Sequence, residues 1–101
     1  MTQHNNRNAS RKFITTVACQ IETKIYASHE KIFDVNDDTD CLFIVERGSV
    51  FSKGKVLHQH DTFGEEVFYT QGRRGYIAVT LSECVLLSVS RNALKVAFEE
   101  S

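Results

Sequence analysis

The sequence predicts a mainly β domain of the sandwich or jelly-roll class, with a helix at each end. Three observations support this prediction. Short runs of β-branched and aromatic residues follow one another closely after residue 21. Asp, Asn and Gly divide these runs, as residues in tight turns do. The two ends of the chain carry apolar residues at helical spacing instead. A chain of 101 residues is expected to form one such domain.

Ser10 is a candidate N-cap, and the N-terminal helix is predicted to follow it. Apolar residues recur at the spacing of one helix face from Phe13 to Ile21. Residues 1–10 are polar and lack an apolar period. We therefore expect a flexible N-terminal arm over residues 1–10 and the folded domain over residues 11–101.

Turns divide the middle of the chain into strands. The run VNDDTD is a predicted turn, because Asp and Asn side chains satisfy nearby backbone groups. In SKGK, Gly54 is predicted to take a positive φ in a tight hairpin. The run GYIAVTLS alternates, with one face formed by Ile77, Val79 and Leu81.

The C-terminal segment SRNALKVAFEE is predicted to be the second helix. Ser90 is its candidate N-cap, and one face is formed by Leu94, Ala97 and Phe98.

Composition excludes several classes of partner. The net charge is −1, so the basic surface that binds nucleic acid is not expected. No apolar run approaches the ~20 residues that span a bilayer, so we expect no membrane contact by this domain itself. Three widely spaced cysteines, Cys19, Cys41 and Cys84, indicate buried thiols in a reducing, cytoplasmic compartment.

The stretch HDTFGEEVFYTQGRRGYIAV, residues 60–79, is the candidate site. Gly64 lets the backbone approach a ligand closely, and the amides of a short helical turn after it can bind an anion. Arg74 can pair with two phosphate oxygens, and Glu65 can accept a hydrogen bond from a sugar hydroxyl. These residue types together describe a nucleotide pocket. The alternative is a solvated turn whose Glu and Arg pair only with each other.

A metal site is a further alternative. His58, His60 and Glu65 form His-x-His-x4-Glu, and two histidines two apart on a strand point to the same face. Imidazole and carboxylate ligands suit a divalent transition metal, as in cupins. No histidine follows His60, however, so a fourth ligand of that type is missing. No nucleophile motif occurs either, and we expect a protein without enzymatic activity, resident metal or cofactor.

The motif DTFGE, followed nine residues after Glu65 by Arg74, resembles the phosphate-binding cassette of the cyclic-nucleotide-binding domain family. TQGRRGYIAV is similar to the cassette exit of hyperpolarisation-activated and related cation channels. YASHEKIFDVNDDTDCLFIVERGSV is similar to the first strands of the family, and CVLLSVSRNALKVAF to its last strand and B helix.

This resemblance implies an eight-stranded β-roll, flanked by helices, that binds cAMP or cGMP and regulates an effector such as a cation channel. It implies that Glu65 contacts the ribose 2′-hydroxyl and that Arg74 contacts the cyclic phosphate. Backbone at Gly64, Glu66 and Val67 is expected to approach the ligand. The sequence stops at about the end of the B helix, so the helix that closes over the base in the family, the C helix, is expected to be absent from it.

Some positions depart from the family pattern. His29 and His60 stand where glycine is usual, and Glu66 stands where an apolar residue is usual. Glu66 brings a second negative charge toward the phosphate. Gly75 stands where the channels carry a Thr that helps hold the ligand and favours cGMP, so cAMP is favoured over cGMP. A β-roll that no longer binds nucleotide, and acts as an interaction or gating module, stays an alternative.

Overall fold

The computed structural model describes residues 3–38, 40–69 and 72–100. Within those residues, eight strands form two four-stranded antiparallel sheets, and a helix lies at each end of the chain. The predicted fold class, a β-roll with flanking helices, is therefore confirmed. In chain order the elements are α1 (Gln3–Gln20), β1 (Glu22–Tyr26), β2 (Lys31–Phe33), β3 (Cys41–Arg47), β4 (Val50–Ser52), β5 (Lys55–Leu57), β6 (Thr62–Phe63), the 3₁₀ helix η1 (Glu65–Phe68), β7 (Ala78–Thr80), β8 (Cys84–Ser90) and α2 (Arg91–Glu100).

The two sheets enclose one core. The first sheet has the order β1-β8-β3-β6, and the second has the order β2-β7-β4-β5. Late strands therefore pair with early ones, as the crossing connections of jelly rolls require. Aromatic rings dominate the interior, with ring centroids 5.1 Å apart for Phe43 and Phe63 and 6.0 Å apart for Phe33 and Phe63. The buried cluster comprises Phe33, Cys41, Phe43, Val45, Val50, Phe63, Ala78, Cys84 and Leu86.

The predicted turns are present. Lys53 and Gly54 both have positive φ, 54° and 74°, in the hairpin between β4 and β5. Two positive φ values at the centre of a two-residue turn give the twist that antiparallel strands need. In the Asp-rich turn, the carboxylate of Asp37 accepts the amide of Asp34 at 2.8 Å, and Asn36 has a φ of 74°.

The prediction that Ser10 caps the first helix is wrong, because α1 begins at Gln3 and Ser10 lies inside it. Residues 3–10, predicted as an arm, are its first turns. No glycine or proline interrupts the chain before residue 20, so polar residues continue the helix beyond the part that packs. Apolar spacing marks the packed part: the rings of Phe13 and Phe98 lie 4.7 Å apart, which joins α1 to α2.

Ser90 caps α2 as predicted, since its Oγ accepts the amide of Ala93 at 2.9 Å. Ala93 and Ala97 are buried on this helix, whereas Phe98 is 66% exposed. Neither of the two helices in the described ranges is long and apolar enough to cross a membrane.

Two of the three thiols lie in the interior, as predicted. Cys41 and Cys84 are free and buried. The side chain of Cys19 lies outside the part of the chain that the structure describes.

Alternation around β7 directs even-numbered residues inward. Ala78 and Thr80 are fully buried, and the face formed by Ile77, Val79 and Leu81 is the outer one. A period of two defines two faces but does not say which one is buried. Thr80 is accommodated inside because its hydroxyl donates to the carbonyl of Ala27 at 2.6 Å.

The backbone of His60 has a φ of 77°, in the left-handed region that strains any residue with a Cβ. Replacing it by glycine removes the clash of Cβ with the backbone that the left-handed region imposes. We expect His60→Gly to raise the free energy of unfolding by about 0.5–1 kcal/mol, measured by urea denaturation. His58, two residues earlier and without a positive φ, is the matched control, and His58→Gly should lower stability. Equal effects of the two substitutions would contradict the assignment of strain.

Candidate functional site

Gly64 makes the turn from β6 into η1. Its φ is 84°, in the left-handed region. A Cβ at this position would lie 3.0 Å from the carbonyl oxygen of Cys41 and 3.1 Å from Nη1 of Arg74. Any larger residue would strain the backbone and crowd the guanidinium. Gly64 therefore allows η1 to lie directly against Arg74.

Arg74 is the largest fully buried side chain among the described residues, with 2% of its surface exposed. Its Nη2 donates to the carbonyl of Cys41 at 2.6 Å, and its Nη1 donates to Oε2 of Glu66 at 2.5 Å. Its Cζ lies 4.3 Å from the ring centroid of Phe33. Within the described residues, Nε has no hydrogen-bond partner. A buried cation is stabilised only when it is paired and hydrogen-bonded, and these contacts supply both.

The carboxylate of Glu66 joins two donors. Besides the bond from Arg74 to Oε2, the hydroxyl of Tyr76 donates to Oε1 at 2.9 Å. The ring of Tyr76 packs edge-on against Phe33, with centroids 5.2 Å apart. Glu66, Arg74 and Tyr76 therefore form one hydrogen-bonded cluster on the edge of the aromatic core.

This cluster fixes the protonation of its members. Burial raises the pKa of Glu66, but hydrogen bonds from Tyr76 and Arg74 outweigh it and lower that pKa below its ordinary value of 4.5. Burial and the bond to Glu66 raise the pKa of Tyr76 well above its ordinary value of 10.0. Near neutral pH, Glu66 is thus a carboxylate and Tyr76 is a hydroxyl donor.

Next to this cluster lies a cavity of about 230 Å³. Glu65 and Tyr76 line it on one part of the wall, and Lys53 and Lys55 of the β4–β5 hairpin line it on another. The Nζ of Lys53 lies 4.3 Å from the ring centroid of Tyr76. The cavity thus combines an exposed carboxylate, two cationic groups and an aromatic face.

The structure brings most of the predicted site residues together. Gly64 and Glu66 contact Arg74, and Val67 is buried with its amide donating to the carbonyl of Gly64 at 3.2 Å. Glu65 lies beside them on the cavity wall.

Gly75 is different, because it is exposed and a Cβ there would meet no heavy atom within 4 Å. The role of each of these residues toward a ligand stays a prediction.

Sequence reasoning missed three contributors to the site: Tyr76, Lys53 and the carbonyl of Cys41. Tyr76 lies two residues after Arg74 on the segment that leads into β7. Residues two apart on an extended chain point to the same face, so the sequence does indicate that Tyr76 lies near Arg74. Lys53 lies in the predicted hairpin, but the distance of that hairpin from η1 depends on how the two sheets pack. The Cys41 carbonyl carries no sequence signal at all.

The premise of the metal alternative is wrong, because β5 ends at Leu57 and the histidines follow it in a turn. The amide of His58 donates to the carboxylate of Asp61 at 2.9 Å, and His60 has a positive φ. Over residues 3–38, 40–69 and 72–100, no group of three or more His, Cys, Asp or Glu is placed to hold a metal ion.

Gly64→Ala is expected to destabilise the domain more than Gly54→Ala does. Both glycines have positive φ, but nothing lies within 4 Å of a Cβ on Gly54. Gly54→Ala should cost about 1–2 kcal/mol through backbone strain alone, and Gly64→Ala should cost about 1–3 kcal/mol more through crowding. Urea denaturation measures both. Equal losses would show that the guanidinium is not held close to Gly64.

The ion pair of Glu66 should make stability depend on pH. Its folded pKa is depressed, so its contribution is present above the ordinary value of 4.5 and is lost as pH falls through the lower folded value. We expect wild type to exceed Glu66→Gln in free energy of unfolding at pH 7, and this difference to shrink below pH 4.5. Denaturant titrations at several pH values measure it. A difference that stays constant over this range would contradict the pairing.

Comparison with known proteins places the chain in a family. The sequence model of the family described as "Cyclic nucleotide-binding domain" matches residues 23–101. No curated protein sequence matches the chain.

Three of the solved structures that share this fold illustrate the similarity. The C-linker/CNBHD of zELK channels has a TM-score of 0.82 at 20% identity, covering 93% of this chain and 52% of that one. The catabolite activator protein of Thermus thermophilus has a TM-score of 0.76 at 20% identity, covering 89% and 46%. PKAR CBD2 bound to Sp-2Cl-cAMPS has a TM-score of 0.73 at 21% identity, covering 83% and 61%.

This chain therefore spans between 46% and 61% of the length of these three. Together with the two-sheet roll and the Gly64–Arg74 contact, the match over residues 23–101 shows that the chain belongs to the cyclic nucleotide-binding domain family.

Proposed function

We propose that this domain binds a cyclic nucleotide, cAMP in preference to cGMP, and passes the binding event to an effector such as a cation channel. The observation that carries the proposal is the cavity lined by Glu65 and Tyr76. Tyr76 is hydrogen-bonded to Glu66, and Glu66 in turn is hydrogen-bonded to the buried guanidinium of Arg74. A sugar acceptor and a phosphate donor are thus held on one segment of chain.

The charges of the cavity suit an anionic sugar ligand. Lys53 and Lys55 on the hairpin side of the cavity attract a phosphate, because cationic side chains raise the local concentration of anions. Glu65 is exposed on the wall, so its carboxylate is available to accept hydrogen bonds from ribose hydroxyls.

Arg74 is the proposed phosphate anchor. An unpaired buried donor such as its Nε costs about 1–3 kcal/mol, so an acceptor that reaches it gains stabilisation. The preference for cAMP rests on Gly75, which offers no hydroxyl at the end of the cassette.

The route to an effector begins at η1. Nε of Arg91 donates a hydrogen bond to the carbonyl of Val67 at 3.2 Å, which joins η1 to the start of α2. A groove of about 290 Å³ between the two elements is lined by Phe68, Leu94 and Phe98, among others. A ligand that favours one position of η1 therefore biases the position of α2, and through the Phe13–Phe98 contact that of α1. No chemical step is part of this function.

We also propose a cytoplasmic location. The free buried thiols Cys41 and Cys84 support it, because such thiols persist in reducing compartments.

The second candidate is an interaction module that binds no nucleotide. The pairing of Arg74 with Glu66 favours it, since the cation is already neutralised. The two candidates differ in one observable, saturable binding of a cyclic nucleotide by the folded chain.

Calorimetric titration with cAMP and then cGMP tests the proposal. We expect saturable heat, with the tighter binding for cAMP. Glu65→Ala should weaken binding at least about tenfold, since a hydrogen bond to a charged group contributes about 1.5–3 kcal/mol. Glu46→Ala is the matched control, because it removes an exposed carboxylate from β3, outside the cavity lining, and should bind as wild type does.

Absence of saturable heat with either nucleotide in the millimolar range, from a chain that unfolds cooperatively, would favour the interaction module. Equal affinity of Glu65→Ala and wild type would remove the sugar contact from the proposal.

A further inference from the structure

The carboxylate of Glu66 is held in the way that a phosphate would be held. Nη1 of Arg74 donates to one of its oxygens at 2.5 Å, and the hydroxyl of Tyr76 donates to the other at 2.9 Å. Arginine donates charge-assisted hydrogen bonds of the same kind to carboxylate and to phosphate oxygens, so Glu66 occupies a position at Arg74 that a phosphate oxygen could also occupy. In this chain, the anion that occupies the position next to Arg74 is the carboxylate of Glu66.

We propose that Glu66 is a built-in competitor of the ligand phosphate at Arg74, and that it sets the concentration of cyclic nucleotide that the domain requires. This inference rests on the function proposed above, because it concerns the same site. A phosphate that approaches Arg74 while Glu66 stays in place meets a second negative charge, which costs affinity. Glu66 occupies Nη1 and repels an anion that reaches the unpaired Nε, so the ligand and the carboxylate compete for the guanidinium.

The two members of the pair are held very differently. The side chain of Arg74 is 1% exposed, whereas that of Glu66 is 20% exposed. Without Glu66, the guanidinium still donates to the carbonyl of Cys41 at 2.6 Å and still lies over the ring of Phe33. The cation thus stays oriented toward an incoming anion, and only the carboxylate needs to move.

Glu66 lies on η1, a short segment with few stabilising contacts of its own. η1 has four residues, its N-cap Gly64 makes no side-chain capping bond, and Phe68 and Tyr69 at its end are 52% and 83% exposed. A short 3₁₀ turn has few internal hydrogen bonds to lose. Val67 of η1 is buried and holds the turn in place, so displacement of Glu66 needs only a movement of its own side chain and leaves the sheets intact.

The strength of the competition can be estimated. A ligand that binds only the fraction of molecules in which Arg74 is free has an apparent dissociation constant equal to the intrinsic one divided by that fraction. With a free fraction of about 1–10%, typical of a minor state, removal of the competitor tightens binding by roughly ten- to a hundredfold. Loss of a merely structural ion pair predicts no such gain.

Calorimetric titration of wild type, Glu66→Gln and Glu66→Ala with cAMP tests this inference. Glu66→Gln keeps the size of the side chain and removes its charge, and Glu66→Ala removes both. We expect both variants to bind about ten- to a hundredfold more tightly than wild type. If the Glu66 variants bind cAMP and wild type shows no saturable binding, the inference is also supported, because the competitor then blocks binding completely. Glu46→Gln, which removes the same charge from the exposed end of β3, should bind as wild type does.

Variants with the affinity of a wild type that binds saturably would overturn the competitor role and leave the proposed function standing. No saturable binding by any of the folded proteins would overturn both. Failure of both Glu66 variants to unfold cooperatively, while Glu46→Gln does so, would show that Glu66 is a structural partner of Arg74 and would also overturn the inference.

Discussion

The buried guanidinium of Arg74 is the group around which the rest of the site is arranged. Burial of an arginine costs several kcal/mol unless neighbouring groups replace its water. Here the replacements come from the carbonyl of Cys41 in β3, the carboxylate of Glu66 in η1 and the ring of Phe33 in β2. Its backbone is held as well, since its amide donates to the carbonyl of Asp37 and its carbonyl accepts the amide of Asn36. One side chain thus fixes the relative positions of three elements.

Core and site share residues, so neither can be changed independently. Phe33 packs against Phe43 and Phe63 inside the roll and also faces Arg74 and Tyr76. The cationic side chain is therefore accommodated by an aromatic face, which attracts positive charge. A substitution made to improve packing at Phe33 would also alter the orientation of the proposed anchor.

Local patterns are sufficient to predict a mainly β domain with a helix at each end, the hairpin at Gly54, the cap at Ser90 and a candidate site that includes Gly64 and Arg74. Each depends on residues close together in sequence, and turn and cap chemistry is local. The start of α1 was not predictable from apolar spacing, because that spacing reports only where the helix packs. Glu66 was expected as a like charge near a phosphate. Its pairing with Arg74 depends on how η1 lies against the sheets, a tertiary relation with no local signal.

Every second residue from Arg74 to Thr80 points inward, namely Arg74, Tyr76, Ala78 and Thr80, and this alternation has an evolutionary consequence. A gain or loss of one residue within this segment would exchange inner and outer faces. It would turn the cation toward water and bring Ile77 and Val79 toward the core. Ligand selectivity in this domain is therefore expected to diverge by replacement of side chains outside the shared aromatic core, while the length of the segment stays fixed. Indels are instead expected where the chain reverses direction, as at the exposed Lys53–Gly54 tip.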